Sequence, residues 1–164
     1  MFRFNAHGEL VKPCYRGSQN LKLKFAHNTG HRQNCENWLK TITDVKKFWD
    51  SRPCNLYHSD KEVGTKEYFR EVEYKKHFVE PHILSFADFK KWTGKKVLEI
   101  GCGLGSETEN FARAGAKVTV IELSEKSLEL AKKRIELFGM SDQVKFYQGN
   151  AEELTILFRC KSLI

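Results

Sequence analysis

The sequence lacks an apolar run of the roughly 20 residues that a membrane-spanning helix needs. Its first residues, MFRFNAHGELVKP, also lack the apolar stretch of a secretory signal. There is no internal repeat and no low-complexity tract. With 40% hydrophobic and 30% charged residues, the composition is typical of a soluble globular protein rather than a disordered one. The expected location is therefore the cytoplasm.

The cysteines lack the spacing of a zinc ribbon or a disulfide framework. They are odd in number and form no CxxC pair: Cys14, Cys35, Cys54, Cys102 and Cys160. His27, His31 and Cys35 follow one another at intervals of four residues, but Gly30 interrupts them and no clear fourth ligand follows. We therefore expect free thiols and predict no metal site.

The charge is unevenly distributed along the chain. The formal net charge is +7, and residues 1–60 hold 10 Lys and Arg against 5 Asp and Glu. Such an excess can attract nucleic acid or another anionic partner. No aromatic-basic motif accompanies it, so a lysine-rich surface is the expected interpretation and a nucleic-acid platform the alternative.

The first 92 residues are predicted to form an extension and a helical lead-in. Residues 1–34 are poorly defined, although alternation at Phe2/Phe4 and at Leu21/Leu23/Phe25 indicates half-buried strands. Residues 35–92 show helical periodicity. A first helix is expected from Cys35 to Asp50, ended by Arg52-Pro53, with an apolar face of Trp38, Ile42, Val45 and Trp49.

Two more helices are expected in the lead-in. One begins near Thr65 and ends at Val79, with Tyr68, Phe69, Val72 and Val79 facing inward. Pro81 then opens a third, with Gly94 as its terminator and Ile83, Phe86 and Phe89 facing inward. Aromatic residues at this spacing are typical of a core rather than of a cofactor site.

The pattern changes to alternating strands and helices in residues 93–164. Val97–Ile100 reads as a strand, followed by a glycine-rich turn and a helix over about 106–114 that Gly115 ends. Residues 117–122 form the next expected strand, Ser124 caps a long helix ending before Gly139, and 144–147 form a third strand. This order predicts an α/β fold with parallel strands joined by right-handed crossovers.

The glycine-rich turn is the strongest functional feature. Glycine at Gly101, Gly103 and Gly105 lets a ligand approach the backbone, and the following helix offers free N–H groups at its N-terminus. Glu122 lies 21 positions after Gly101, at the end of the next strand, close to the spacing of about 20 that places a carboxylate on ribose hydroxyls. The spacing of the glycines, GxGxG, differs from the GxGxxG of dinucleotide sites.

Three ordered segments carry a family resemblance. VLEIGCGLG resembles motif I of the class I S-adenosylmethionine-dependent methyltransferases, VTVIELS their second motif, and QGNAEEL the segment that meets the adenine. The resemblance implies a Rossmann-like parallel sheet and S-adenosyl-L-methionine as cofactor. The lead-in is similar, more loosely, to small-molecule methyltransferases of the ubiquinone/menaquinone type, which implies a small-molecule acceptor.

The resemblance also implies roles for individual residues. Gly101, Gly103 and Gly105 would line the methionine and ribose part of the cofactor. Glu99 would hold the turn and reach the cofactor's amino group, and Cys102 would fill space inside the turn. The remaining expected cofactor residues are Glu122 on the ribose, Leu123 on the adenine face, and Asn150 with Ala151 at the adenine amino group. The family often has Asp where this chain has Asn150.

The acceptor side of such a site is not visible in the sequence. Only the first half of the family's sheet is recognisable, and the chain ends at TILFRCKSLI. No general base is identifiable, and His77 and His82 read as surface residues. The expectation is methyl transfer to a small molecule; the alternative is a catalytically silent cofactor-binding or interaction module. The N-terminal helices, a second copy or a partner chain are expected to cover the incomplete sheet.

Overall fold

A computed structural model describes residues 41–153 and the backbone of two short strands before them. Those strands, β1 (Arg3–Phe4) and β2 (Leu10–Val11), pair antiparallel within a compact unit of their own. Strand β1 contains part of the predicted alternation at Phe2/Phe4. The predicted strand at residues 21–25, the histidine-cysteine triplet at 27–35, and Cys14 and Cys160 lie outside the described residues. The division of the chain at residues 34 and 92 stays a prediction.

The lead-in forms three α-helices, α1 (Ile42–Ser51), α2 (Lys66–Val79) and α3 (His82–Ala87), and a 3₁₀ helix at Phe89–Trp92. Thr41 caps α1 in a capping box with Asp44, and the Thr65 hydroxyl caps α2. Helix α1 ends before Arg52-Pro53, as predicted. The part of the first predicted helix before residue 41 lies outside the described residues.

The third predicted helix is shorter than expected. Asp88 adopts a left-handed conformation with φ 42°, which ends α3 and separates it from the 3₁₀ turn. After this break Phe89 packs edge-to-face on Phe111. Phe86, within α3, is 72% exposed, so its predicted inward orientation is wrong. Val79 is also wrongly predicted as inward: it is 67% exposed, and the fully buried residues of α2 lie in its first two turns.

The β/α pattern is confirmed throughout. The elements are β3 (Lys96–Ile100), α4 (Ser106–Arg113), β4 (Lys117–Glu122), α5 (Glu125–Leu137) and β5 (Val144–Gln148). Two 3₁₀ turns, Ser141–Gln143 and Ala151–Glu153, flank β5. Ser124 caps α5 through its hydroxyl, as its position in the sequence predicts.

The three strands form one parallel sheet in the order β3-β4-β5. Helices α4 and α5 pack on one face, where buried side chains from strands and helices form the main core: Ala112, Ala116, Val118, Val120, Ala131, Ile135 and Val144. Leu98 and Ile100 point to the other face and are each 43% exposed. The predicted α/β parallel architecture is therefore confirmed over the described residues.

Helix α2 packs on α5 and on the glycine turn. Its Tyr68, Phe69 and Val72 are fully buried against Leu104 of the glycine turn and Leu130 of α5. The aromatic pattern of α2 is thus a core pattern, as predicted, and it seats the lead-in beside the turn. None of the helices between residues 41 and 153 has the length and apolar character of a membrane span.

Candidate functional site

The glycine turn lies at the carboxyl end of β3, between the strand and α4. Gly101, Gly103 and Gly105 have φ values of 74°, 55° and 74°, in the left-handed region that favours glycine. Gly105 is the N-cap of α4 and has no side chain that could cap the first turn. The N-terminus of α4 therefore keeps backbone N–H groups for a ligand, which is the arrangement that the glycine spacing predicts.

Gly105 is also required by packing. A Cβ atom at this position would lie 3.1 Å from Cβ and 3.2 Å from Cα of Ala131 on α5. The turn therefore rests directly on α5, and a side chain at Gly105 would push the two apart.

Glu122, at the end of β4, faces the glycine turn. Its Oε2 accepts a hydrogen bond from the Gly103 N–H at 3.1 Å, and its Oε1 accepts one from the Ser124 N–H at 2.9 Å. The side chain is only 7% exposed. Because each carboxylate oxygen has two acceptor positions, both oxygens can still accept from a diol. Glu122 thus keeps acceptor positions for the hydroxyl groups of a ligand.

Glu99 lies at the other side of the turn and contacts α4. Its Oε2 accepts a hydrogen bond from the Thr108 hydroxyl at 2.5 Å. Burial raises the pKa of Glu99 from its ordinary value of 4.5 to about 7, and the carboxylates of Glu107 and Glu122 act in the same direction. Glu99 is therefore an acid that changes charge near neutral pH.

Cys102, inside the turn, is buried at 4% exposure. Burial, together with the nearby charges of Glu99 and Glu122, raises the pKa of its thiol well above the ordinary range. A neutral, enclosed thiol is a poor nucleophile, so the structure agrees with a space-filling role.

The loop after β5 adjoins the end of β4. The Gly149 N–H donates to the Glu122 carbonyl at 3.0 Å, and Asn150 Oδ1 accepts from the Glu152 N–H at 3.1 Å. Asn150, Ala151 and Leu123 are all half-buried. The structure thus brings the expected adenine residues to the same edge of the sheet as Glu122, and Asn150 also ties its own loop.

The lead-in contributes residues that the sequence does not point to. Cys54, in the loop after α1, has its Cβ 3.8 Å from the place that a Cβ on Gly103 would take. Asp50, near the end of α1, accepts from the Ser124 hydroxyl at 2.8 Å. No local motif marks either residue, because only the tertiary docking of α1 and its loop brings Cys54 to the glycine turn and Asp50 to the start of α5.

A charged pair from α2 and α4 borders the same region. Lys76 donates to Glu107 in the first turn of α4, and His77 Nε2 lies 3.7 Å from the other oxygen of Glu107. Burial opposes ionisation of Glu107, but His77 and Lys76 lower its pKa to about 2. The His77 side chain is 14% exposed, so its interpretation as a surface residue is wrong; His82 is exposed, as predicted.

Comparison with known proteins identifies the segment that holds this turn. Residues 97–161 match a family model described as a methyltransferase domain. Sixty residues are 50% identical to the ubiquinone biosynthesis O-methyltransferase of Aromatoleum aromaticum, covering 37% of this chain and 25% of that protein. Sixty-eight residues are 37% identical to the mitochondrial ubiquinone biosynthesis O-methyltransferase of Schizosaccharomyces pombe, covering 41% and 25%.

A solved structure, the magnesium protoporphyrin IX methyltransferase of Synechocystis with bound SAH, is 24% identical, with a TM-score of 0.48, and the match covers 67% of this chain and 52% of that one. This chain spans about a quarter of the length of the curated relatives described above. The predicted resemblance to class I methyltransferases is confirmed over residues 97–161.

Proposed function

We propose that this chain binds S-adenosylmethionine at the glycine turn, and that the protein transfers the methyl group to a small-molecule acceptor. The observation that carries the proposal is the position of Glu122, whose carboxylate bridges the glycine turn and the start of α5. The glycine turn, the N-terminus of α4 and the carboxylate of Glu122 lie together at one edge of the parallel sheet. Folds of this kind bind nucleotides at this edge.

Within this proposal each site residue has a defined contact. Gly101, Gly103 and Gly105 line the methionine and ribose portion, while Glu99 holds the turn and faces the amino group. Glu122 accepts from the ribose hydroxyls. Adenine is contacted by Leu123 on its face and by Asn150 and Ala151 at its amino edge, with Cys102 filling space behind the turn.

When bound, S-adenosylmethionine supplies a methyl group on a positively charged sulfur. The glycine turn, Glu99 and Glu122 would hold this group, and the chemistry it would supply is methyl transfer to the acceptor, with S-adenosylhomocysteine as the other product. The protein's contribution is to orient the two reactants. The names of the relatives, which are ubiquinone biosynthesis O-methyltransferases, support a hydroxyl oxygen as the acceptor atom.

Binding is tested with S-adenosylhomocysteine on the folded chain. The ligand is expected to raise the melting temperature, as any ligand of the native state does. Glu122→Ala removes charge-assisted hydrogen bonds worth about 1.5–3 kcal/mol each, so Kd should rise at least about tenfold. Glu122→Asp keeps the charge on a shorter side chain, so its Kd should lie between those of the wild type and Glu122→Ala. Glu136→Ala, an exposed acid on α5, is the control and should leave Kd unchanged.

A folded wild-type chain whose melting temperature does not respond to the ligand would contradict the proposal. Binding without methyl transfer to a panel of phenolic acceptors would favour a catalytically silent module instead. We also propose that the protein acts in the cytoplasm and that a second copy or another chain covers the open sheet.

A further inference from the structure

A buried arginine connects the glycine turn to the lead-in. Arg134 on α5 is 0% exposed, although it is charged. Its Nε donates to Glu109 Oε2 at 2.6 Å, one Nη donates to the Ser106 hydroxyl at 2.9 Å, and the other donates to Glu73 Oε2 at 3.0 Å. A buried guanidinium is tolerated only when its donors are satisfied in this way.

The partners of Arg134 show what it holds. Ser106 is the first residue of α4, directly after Gly105, and Glu109 lies one turn further along the same helix. Gly105 itself rests on Ala131, which lies one turn before Arg134 on α5. One turn of α5 therefore fixes both the end of the glycine turn and the beginning of α4.

The third partner extends the connection to α2. Glu73 accepts from Arg134 and also from Asn110 Nδ2 on α4, at 2.9 Å. The planar guanidinium thus joins three helices in one fixed geometry, which a lysine cannot reproduce.

We propose that Arg134 is a positioning residue, which holds the glycine turn and the first turn of α4 in the geometry that binds the cofactor. This inference rests on the proposed function. Arg134 acts through Ser106 and Glu109 rather than by touching the ligand. If the turn without Arg134 adopts its binding geometry about one-tenth of the time, the apparent Kd rises about tenfold.

The test compares Arg134→Met with Ile135→Ala in the full chain. Methionine removes the guanidinium while keeping most of the volume, and the acids left behind keep other partners. Glu109 still faces Arg70 at 3.0 Å and Arg113, and Glu73 still accepts from Arg70 at 2.8 Å. Ile135, the next residue, is 1% exposed and lies in the sheet-facing core, so its truncation lowers stability without removing a side-chain hydrogen bond to α4 or to α2.

Both variants are expected to lower the melting temperature, but only Arg134→Met should raise the Kd for S-adenosylhomocysteine, by about tenfold. In ¹H–¹⁵N spectra without ligand, the amides of Gly103 and Gly105 should shift or broaden in Arg134→Met and stay in place in Ile135→Ala. If the wild type binds and Arg134→Met binds equally well, or if Ile135→Ala weakens binding to the same degree, Arg134 is structural only. If the wild type does not bind, the proposed function itself fails.

Discussion

At the scale of single residues, Glu99 combines a structural contact with an unusual protonation state. Its carboxylate accepts a hydrogen bond from the Thr108 hydroxyl and lies near the charged side chains of Glu107, Glu122 and Lys76. Burial raises its pKa to about 7, so near neutral pH a substantial fraction of molecules carry a neutral Glu99. A cationic amino group beside it favours the ionised form and would lower this pKa again.

The raised pKa of Glu99 predicts a specific pH dependence of stability. Between pH 4.5 and about 7 the folded chain holds a proton on Glu99 that the unfolded chain has released. The contribution of Glu99 to the free energy of unfolding is therefore fully present below pH 4.5 and is lost as pH rises through about 7. Glu99→Gln should flatten this part of the curve in chemical unfolding at pH 5, 6 and 7.

Glu107 has the opposite pH dependence to Glu99. Its pKa is lowered to about 2, so its stabilising contribution is present above pH 4.5 and is lost only as pH falls below that value. The two acids thus act in separate pH ranges. A difference between wild type and Glu99→Gln that does not change between pH 5 and 7 would show that Glu99 is already ionised at pH 5.

The residues of the site were predictable to different degrees. Glycines at defined intervals and an acid 21 positions later are a local pattern, so the sequence is sufficient to find the turn and Glu122. Arg134 belongs to no such local pattern, because its acidic partners Glu109 and Glu73 lie 25 and 61 positions away. Buried charge pairs of this kind depend on tertiary placement, which periodicity does not encode.

At the scale of elements, predictions succeeded where one local cause decides the boundary. The strand Lys117–Glu122 and the cap Ser124 were predicted correctly, since apolar alternation and capping are local effects. The predicted third lead-in helix is too long because Asp88 takes a left-handed conformation, and no glycine or proline marks this break in the sequence.

The turn between β3 and α4 offers a test of element packing. Gly105 and Gly139 have nearly the same φ, 74° and 72°, but only Gly105 has neighbours within 4 Å of an added Cβ atom. Alanine at Gly139 should therefore cost only the backbone strain of about 1–2 kcal/mol. Alanine at Gly105 should cost more, since α5 must also move away from the turn.

Chemical unfolding of the two alanine variants measures this difference. Gly105→Ala should also weaken binding of S-adenosylhomocysteine, whereas Gly139→Ala should not, because Gly139 follows α5 at the far end from Ser124. Equal losses of stability in the two variants would mean that the contact between Gly105 and Ala131 is easily relieved.

At the scale of the whole molecule, the described sheet is covered by helices on one face. Within residues 41–153, β3 pairs with β4 alone, and its other edge has no partner strand. Leu98 and Ile100 lie on the face away from α4 and α5 and are each 43% exposed. An exposed strand edge beside large apolar side chains is a surface that associates readily.

We therefore expect the isolated chain to self-associate through this face. The double variant Leu98→Thr, Ile100→Thr lowers the apolar area and keeps β-branched residues that suit a strand. It should shift the chain toward monomer in sedimentation velocity over a series of concentrations. Val63→Thr, at an equally exposed loop position of 46%, is the control and should leave association unchanged.

A wild-type chain that stays monomeric over the whole series would contradict the expectation. If Val63→Thr also shifts the chain toward monomer, association is not specific to the sheet face. The proposed ligand site lies at the carboxyl ends of the strands, whereas Leu98 and Ile100 lie on the face of the sheet. Adding S-adenosylhomocysteine therefore tests whether the two surfaces are separate. Association that persists with ligand bound would mean that the face is free to contact another chain while the cofactor site is occupied.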